Sequence, residues 1–293
     1  MTHPDVSIGI IGGSGLYQMP ELHDVQEVHI ETPYGNPSDA IILGKIGATP
    51  VAFLPRHGRG HRLTPTEVPY RANIYALKTL GVRVVLSVSA CGSLREDLHP
   101  GDVLVPDQLF DFTKQRQSSF LGDGWVGHVT VADPFCQKLS AMLADAAVEA
   151  AAKVKSDAAT HRGGTMITIE GPRFSTKGES RLYRAWGMDV IGMTACPEAF
   201  LAREAGLCYA TMAHVTDYDV WHTSEEAVTV EKVIQQLHHN LDLARQTINV
   251  LVSKLAHGHP ACECEHALDN ALITAPEQIS PEAKARLQRL LEG

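Results

Sequence analysis

The sequence predicts an α/β protein whose mixed, mostly parallel β-sheet is flanked by helices on both faces. Short apolar segments alternate with segments of helical periodicity along the whole chain. Residues 82–88 are rich in β-branched side chains, which is typical of a central strand with both faces buried. Residues 136–155 are rich in alanine, which predicts a helix from propensity alone. Such alternation is characteristic of the α/β class.

The individual elements follow from the spacing of apolar residues and from the glycines and prolines beside them. Gly44 and Gly47 divide residues 40–54 into two apolar runs, which predicts a strand, a turn and a second strand. Gly81 follows a helical pattern and is typical of a C-cap. Strands are predicted at residues 7–11, 40–43, 50–54, 82–88, 103–105, 166–169, 189–192 and 208–215. Helices are predicted at residues 70–80, 136–155, 180–186, 197–205, 229–255 and 281–291.

Length and composition are those of an ordinary soluble globular protein, with 293 residues, 44% hydrophobic and 20% charged. The net charge of −9 argues against binding to bulk nucleic acid but not against a small anionic substrate. No apolar run is long enough for a membrane span, and the first residues do not resemble a secretory signal. Without repeats or linkers, we expect one domain, with a core at about residues 8–256 and a tail at 257–293.

The six cysteines are too few for a disulfide scaffold, so we expect a reduced, cytoplasmic protein. Cys262 and Cys264 lie in a His-rich stretch at residues 257–266. A zinc site, a disulfide between these two cysteines, and exposed thiols are the alternatives for this stretch. Cys136 and Cys208 are far apart in sequence, and whether the fold brings them together is left open.

Three small, polar loops that contain glycine follow predicted strands and are candidates for an anion site. Residues 12–15 include Ser14 and can direct backbone N–H groups towards an anion. Arg56 and His57 supply a guanidinium and an imidazole, both of which bind phosphate oxygens. Residues 89–93 form the third loop. Ligands gather at the carboxyl ends of strands in open α/β sheets. A tight turn and an ordinary surface loop are the alternatives for the first two.

Two further loops offer groups that suit a nitrogen heterocycle. Phe174 follows a predicted strand and either stacks on a flat base or belongs to the core. Thr216, Asp217 and Asp219 follow the strand predicted at residues 208–215. Carboxyl groups two residues apart can hydrogen-bond or protonate a ring nitrogen. An acidic loop end or a helix cap is the alternative.

Together these clusters resemble, in their order along the chain, the nucleoside phosphorylases of the purine class. The resemblance covers roughly residues 8–256, and the combination of motifs is far more specific than any one of them. The chain departs from many close relatives at Gly192, where those have Asn. The matching stretches are residues 9–16, 32–39, 56–58, 90–96, 168–175, 193–198 and 216–219.

The resemblance implies a single-domain nucleoside phosphorylase fold, usually a homotrimer, that splits a purine nucleoside with inorganic phosphate. Purine and methionine salvage are the processes it implies. The implied phosphate-binding residues are Ser14, Arg56, His57, Ser89, Ala90 and Thr194. The implied substrate-binding residues are Met193 for the ribose, Phe174, Thr216, Asp217 and Asp219 for the purine, Val230 and Val233 for the 5′ group, and His128 from a neighbouring subunit. Asp217 and Asp219 are the implied catalytic residues.

The residues at both ends of the substrate favour S-methyl-5′-thioadenosine. Sites for 6-oxopurines resemble ones with Glu at the position of Ser175 and Asn at the position of Asp217. A carboxylate at Asp217 accepts a hydrogen bond from the N6 amine of adenine and repels a 6-oxo group. Val230 and Val233 lie on one face at the start of a helix and form an apolar wall that suits a methylthio group.

The expected mechanism is attack of phosphate on C1′ through an oxocarbenium-like transition state. Asp217, protonated or through a water, donates to N7 so that neutral adenine leaves. No metal or organic cofactor is expected, because phosphate is the nucleophile. The alternatives are a phosphorylase for 6-oxopurine nucleosides or methylthioinosine, a nucleosidase that uses water, and a nucleoside-binding protein without catalysis.

The segment at residues 110–135 predicts a long irregular loop, which is usually functional or interfacial in a compact domain. His128 lies in it. We therefore expect a homo-oligomer, most simply a trimer, in which this histidine completes the ribose site of the next subunit.

Overall fold

The protein is built around one sheet of eleven strands in the computed structural model, which describes residues 6–13, 16, 19–222 and 229–291. Parallel pairings predominate, and the antiparallel ones involve β2, β3, β6 and β10. The mixed, mostly parallel sheet expected from the sequence is thus confirmed. The strands are β1 (Ile8–Gly12), β2 (Leu22–Val28), β3 (Ile41–Ile46), β4 (Thr49–Pro55), β5 (Val84–Ser93), β6 (Val103–Val105), β7 (Gln108–Phe112), β8 (Thr160–Arg162), β9 (Thr165–Ile169), β10 (Val190–Gly192) and β11 (Cys208–Asp217).

Strand β5 lies at the centre and changes its neighbour on one side. It pairs with β11 along nearly its whole length. On the other side it pairs in parallel with β1 as far as Val88, and then antiparallel with β10 from Gly92. No strand of the described chain pairs with residues 89–91 on that side. This gap in the sheet lies where β1 and β4 end.

Helices cover both faces of the sheet, as the alternating pattern predicts. The core on one face includes buried residues of α2 and α6, and the core on the other includes those of α1, α4 and α7. The two longest helices, α2 and α6, pack against each other. The helices are α1 (Tyr70–Thr79), α2 (Gln137–Val154), α3 (Lys177–Ala185), α4 (Ala195–Glu204), α5 (Val230–His239), α6 (Leu241–Leu255) and α7 (Pro281–Leu291), and none in the described part of the chain is long and apolar enough to cross a membrane.

The prediction of one helix at residues 229–255 is wrong, because α5 and α6 are separated at Asn240. Asn240 has φ −89° and ψ 0°, and its side-chain amide donates to the carbonyl of Gly101. Strands β2, β7 and β8 were not predicted. The middle of β2 is exposed, β7 has no buried residue, and β8 has only three residues. β2 and β8 therefore lack the apolar pattern on which a sequence-based strand prediction depends. β7 does contain Leu109, Phe110 and Phe112, and the prediction of an irregular loop at residues 110–135 is wrong for residues 110–112.

The tail after α6 packs against the core. In α7, Ala283, Leu287 and Leu290 are buried, and this helix contacts α1. Cys264 is buried and Cys262 is half-buried, so the interpretation of both as exposed tail thiols is wrong. The tail folds back far enough to bring them to Cys136 and Cys208, which the fold does place together.

Candidate active site

A cavity of about 590 Å³ lies at the carboxyl ends of the central strands, in the size range of small-molecule sites. Ser14 lies outside the described residues, but Gly13 beside it lines the cavity. His128 does not line the cavity of its own chain, and its backbone N–H donates to Ala271. The predicted residues that do line it are Arg56, His57, Ser89, Ala90, Phe174, Met193, Thr194, Thr216, Asp217, Asp219, Val230 and Val233.

The guanidinium of Arg56 is held rigidly at the end of β4. Its Nε and Nη2 donate to both carboxylate oxygens of Glu198, at 2.7 and 2.8 Å. Nη2 also donates to Ser87 Oγ, and Nη1 donates to the carbonyl of Val88. Nη1 has two N–H groups, and only one of them has a partner among the described residues, so the other is available to a ligand beside Gly13. The arginine thus presents one oriented donor to the cavity.

His57 is neutral in the ligand-free site. Burial, together with the positive charge of Arg56, lowers its pKa to about 4. Its Nδ1 lies 2.9 Å from the carbonyl of Leu63, which can only accept, so the ring proton is on Nδ1. The neutral ring offers Nε2 as an acceptor. It therefore suits a protonated phosphate oxygen, or becomes a donor once a bound anion favours the imidazolium form.

The gap in the sheet supplies backbone groups to the same end of the cavity. The Val88 carbonyl points into the gap, since it accepts from Arg56. Backbone groups of alternate residues face the same edge of a strand, so those of Ala90 point there too. The hydroxyls of Ser89 and Thr194 lie 3.4 Å apart across the gap. A cation, two hydroxyls and a backbone segment without a neighbouring described strand on this side together provide groups that can bind an anion.

At the other end, Asp217 is a carboxyl group with an unusual proton affinity. Burial raises its pKa to about 6, and the hydrogen bonds from Thr216 and from the backbone N–H of Asp219 only partly oppose this. The Thr216 hydroxyl lies 2.7 Å from Asp217 Oδ2 and 3.2 Å from the carbonyl of Cys91. It can therefore donate to ionised Asp217, or accept from the protonated form while donating to Cys91.

Gly92 makes room for this carboxyl group. A Cβ atom at position 92 would lie 2.8 Å from Asp217 Oδ1 and 3.2 Å from the backbone nitrogen of Asp219. Asp219 itself has φ +49°, and its side chain is buried with a raised pKa, chiefly because of burial. The turn after β11 thus depends on a glycine in the neighbouring strand.

The remaining wall of the cavity is apolar and partly open. Phe174 is 37% exposed and Val230 is 62% exposed in the single chain. Both residues lie next to solvent, so the cavity has an open side here. The wall is completed by Ile169, Ile191, Met193, Val233, Ile234, Leu237 and Leu241.

The profile of the phosphorylase superfamily matches residues 7–255. The chain belongs to this superfamily. It is 51% identical to S-methyl-5′-thioadenosine phosphorylase of Gloeobacter violaceus, over 99% of this chain and 97% of that protein. It is 52% identical to the protein of the same name from Thermosynechococcus vestitus, with 97% of each chain covered.

Solved phosphorylase structures have the same fold. A methylthioadenosine phosphorylase from an antarctic soil metagenomic library superposes with a TM-score of 0.92 at 53% identity, over 98% of this chain and 99% of that chain. The Schistosoma mansoni methylthioadenosine phosphorylase in complex with adenine has a TM-score of 0.82 at 38% identity, over 89% of this chain and 96% of that chain. The predicted family and α/β fold are therefore confirmed.

Arg116, which sequence reasoning missed, supports residues that line the cavity. Its side chain is 1% exposed, and Nη1 donates to the carbonyls of Met193 and Cys196 on either side of Thr194. Its Nε pairs with Glu170, which also accepts from two backbone N–H groups near Arg116. Arg116 lies in the segment that predicts an irregular loop, and nothing in the spacing there marks it as buried.

Glu198 and His214 were missed as well. Glu198 stands in a stretch that resembles the family, but the sequence gives no sign that it pairs with Arg56. His214 is a polar residue within the apolar strand β11 and lines the cavity. Burial lowers its pKa to about 4, and neither ring nitrogen has a hydrogen-bond partner within the described chain. A histidine in a buried strand is the only available signal.

Proposed function

We propose that the protein catalyses the phosphorolysis of S-methyl-5′-thioadenosine, which gives adenine and 5-methylthioribose 1-phosphate. The observation that carries the proposal is the buried Asp217 carboxyl, whose pKa is about 6, in the same cavity as the anion site of Arg56. A purine nucleoside placed between them has its base at a proton donor and its C1′ near phosphate. The relatives named for this activity support it.

The base end favours a 6-aminopurine. Thr216 and Asp219 orient the Asp217 carboxyl through hydrogen bonds of 2.7 Å. In its ionised form this group accepts from an exocyclic amine, and in its protonated form it donates to a ring nitrogen. Phe174 supplies a flat apolar surface for the ring. The Schistosoma mansoni methylthioadenosine phosphorylase binds adenine and, as a mutant, methylthioadenosine in its solved structures, which supports an adenine-containing ligand for this fold.

The 5′ end favours an apolar substituent. Val230, Val233, Ile234 and Leu237 of α5 line the cavity. Burial of a methylthio group against them is worth about 0.8 kcal/mol per methylene-sized unit. A free 5′-hydroxyl would gain nothing from these side chains and would lose its hydrogen bonds to water.

In the reaction, phosphate attacks C1′ as the C1′–N9 bond breaks, and the bonding electrons pass to the purine. The phosphate dianion beneath the sugar stabilises the developing oxocarbenium charge. Protonated Asp217 gives its proton to N7, so the purine leaves as neutral adenine. Its pKa of about 6 leaves a protonated fraction available near neutral pH. Because phosphate is the nucleophile, the proposed reaction uses no metal or organic cofactor.

We further propose that the enzyme is a cytoplasmic homotrimer acting in purine and methionine salvage. The open side of the cavity at Phe174 and Val230 supports an oligomer, since a neighbouring subunit can cover these exposed side chains. His128 of that neighbour is the residue proposed to reach the ribose. The sparse cysteines support a reducing compartment.

The test is phosphate-dependent release of adenine from S-methyl-5′-thioadenosine by the purified protein. We expect adenine and a sugar 1-phosphate in equal amounts, and no release when phosphate is omitted. Release without phosphate would make the protein a nucleosidase. Faster cleavage of methylthioinosine or inosine would favour the 6-oxopurine alternative. Binding of the nucleoside without turnover would favour a binding protein.

A further inference from the structure

Four cysteines from three separate parts of the chain meet at one point. Cys136 precedes α2, Cys208 begins β11, and Cys262 and Cys264 lie in the tail. Their sulfur atoms all lie within 4.8 Å of one another, and those of Cys208 and Cys262 are 3.0 Å apart. This tetracysteine cluster is at the opposite end of β11 from Asp217, and none of its members lines the active-site cavity.

The spacing of the sulfur atoms fits one tetrahedral metal ion. Zinc binds thiolate sulfur at about 2.3 Å, so four sulfurs at the corners of a tetrahedron are about 3.8 Å apart. Every pair in the tetracysteine cluster lies within reach of that distance after small side-chain adjustments. Two separate disulfides would require only two close pairs of sulfur atoms. The convergence of all four sulfurs therefore favours a single metal ion over two disulfides.

Groups around the cluster stabilise negative charge on sulfur. Arg203 Nη1 donates to Cys264 Sγ at 3.3 Å. Cys136 is the N-cap residue of α2, so its sulfur lies at the positive end of an 18-residue helix, near the backbone N–H of Leu139. A zinc ion with four thiolate ligands carries two negative charges. These positive groups compensate part of that charge.

We propose that Cys136, Cys208, Cys262 and Cys264 bind one structural zinc ion. Four protein ligands leave no open coordination position, which is the arrangement of structural sites rather than catalytic ones. The histidines of residues 257–266 are not part of the cluster. The proposal concerns a part of the molecule remote from the active site and is independent of the proposed function.

The ion holds the tail on the core. Cys262 and Cys264 are joined through it to the first turn of α2 and the first residue of β11. The backbone of Glu265 also approaches Gly206, where a Cβ atom would lie 3.3 Å from Glu265 Cα. Binding of metal to a site that exists only in the folded chain contributes directly to folding stability. We therefore expect the ion to raise the melting temperature.

The test begins with elemental analysis of the full-length protein, purified under reducing conditions without added chelator. We expect about one zinc per chain in the wild type and almost none in Cys262→Ser, whose half-buried position tolerates the change best. Cys196→Ser is the matched control, because Cys196 is a cysteine outside the cluster, and it should retain its zinc. Zinc retained by Cys262→Ser would overturn the proposal.

A second measurement does not depend on any variant. The wild-type protein, stripped of metal and refolded with Co²⁺, should show the visible bands of tetrahedral cobalt bound to four thiolates. Its melting temperature should rise again on return of zinc. Intact-mass evidence for disulfides among these four cysteines would overturn the proposal. Four free thiols with a zinc-independent melting temperature, or iron in place of zinc, would do so as well.

Discussion

The carboxylate of Glu198 fixes the guanidinium of Arg56 through two hydrogen bonds, and each side chain is only 1% exposed. Tyr209 donates a further hydrogen bond to the same carboxylate at 2.8 Å. The guanidinium of Arg56, which lines the cavity, is therefore oriented by a residue that is buried behind it. A substitution at Glu198 therefore disturbs the orientation of Arg56 without removing its guanidinium.

Glu198→Gln should raise the KM for phosphate about tenfold or more and should affect the KM for nucleoside less. The reason is that the hydrogen bond from Arg56 to phosphate, worth about 1.5–3 kcal/mol, loses its orientation. Breaking the buried pair should also cost about 3–5 kcal/mol of folding stability. Steady-state kinetics and thermal unfolding measure both effects. Glu27→Gln, which breaks the exposed pair with Arg59, is the control and should change little. If Arg56→Ala leaves phosphate saturation unchanged, the anion binds elsewhere.

Asp217→Asn should slow cleavage of S-methyl-5′-thioadenosine by about 10²–10⁴, because a positioned acid is lost. The amide can donate to a 6-oxo group, so the preference should shift towards methylthioinosine. The ratio of kcat/KM for the two nucleosides is the measurement. The exposed Asp97→Asn serves as the control. An unchanged ratio would contradict the role of Asp217 in choosing the base.

Acidification should destabilise the protein through its buried histidines. The pKa of His57 and of His214 falls from 6.5 to about 4 on folding. Between these values the unfolded chain binds protons that the folded chain does not, so the free energy of unfolding decreases as pH falls from 6.5 to 4. For His214 the effect is on the order of 3 kcal/mol. Asp217, whose pKa rises on folding, offsets part of it.

The measurement is the free energy of unfolding as a function of pH in the ligand-free protein. His214→Gln should flatten the dependence between pH 6.5 and 4. A wild-type protein whose stability is constant or increases as pH falls through this window would contradict the neutral state assigned to the histidines.

Arg116→Lys should lower kcat by about 10²-fold, although the residue lies behind the site. A lysine keeps the charge but cannot donate simultaneously to Glu170 and to the carbonyls of Met193 and Cys196. Thr194 between those carbonyls would then lose its position. Arg162→Lys, at an exposed pair with Asp145, is the matched control. A wild-type kcat in Arg116→Lys would show that activity does not require the hydrogen bonds from Arg116 to these carbonyls.

Mixing two inactive variants should restore activity if sites are shared between subunits. We expect a trimer by light scattering. After reversible dissociation, His128→Ala mixed with Asp217→Ala should recover part of the activity, because some interfaces then carry both intact residues. Each variant dissociated and reassociated alone is the control. A fully active monomer, or no recovery on mixing, would count against a contribution of His128 to the neighbouring site.

Much of the site could be predicted because its residues follow buried strands. Arg56, Thr216 and Asp217 stand at the carboxyl ends of β4 and β11, and the sheet brings those ends together without any need to know side-chain contacts. The loop predicted at residues 89–93 is wrong, because β5 continues to Ser93, but Ser89 lines the cavity from within this strand. The buried, apolar strands themselves were predicted for the same reason. A strand that is buried on both faces is predominantly apolar, which makes it recognisable in the sequence.

The supporting residues could not be predicted, because their roles depend on contacts between distant segments. Glu198 is 142 positions from Arg56, and Arg116 is 77 positions from Met193. A charged residue is expected to be exposed unless a partner compensates its charge. The sequence does not show which distant residue is that partner. The same holds for the tail cysteines, whose burial depends on α2 and β11.

The break in the pairing of β5 links the ligand to the stability of the whole sheet. A central strand with a short free edge has backbone groups that lack their usual partners, and bound phosphate can satisfy them. Occupancy by ligand then adds to the free energy of unfolding, by about 2.7 kcal/mol at a hundredfold excess over the dissociation constant. The same unpaired edge that can receive phosphate is thus a local weakness of the sheet that its own substrate can repair.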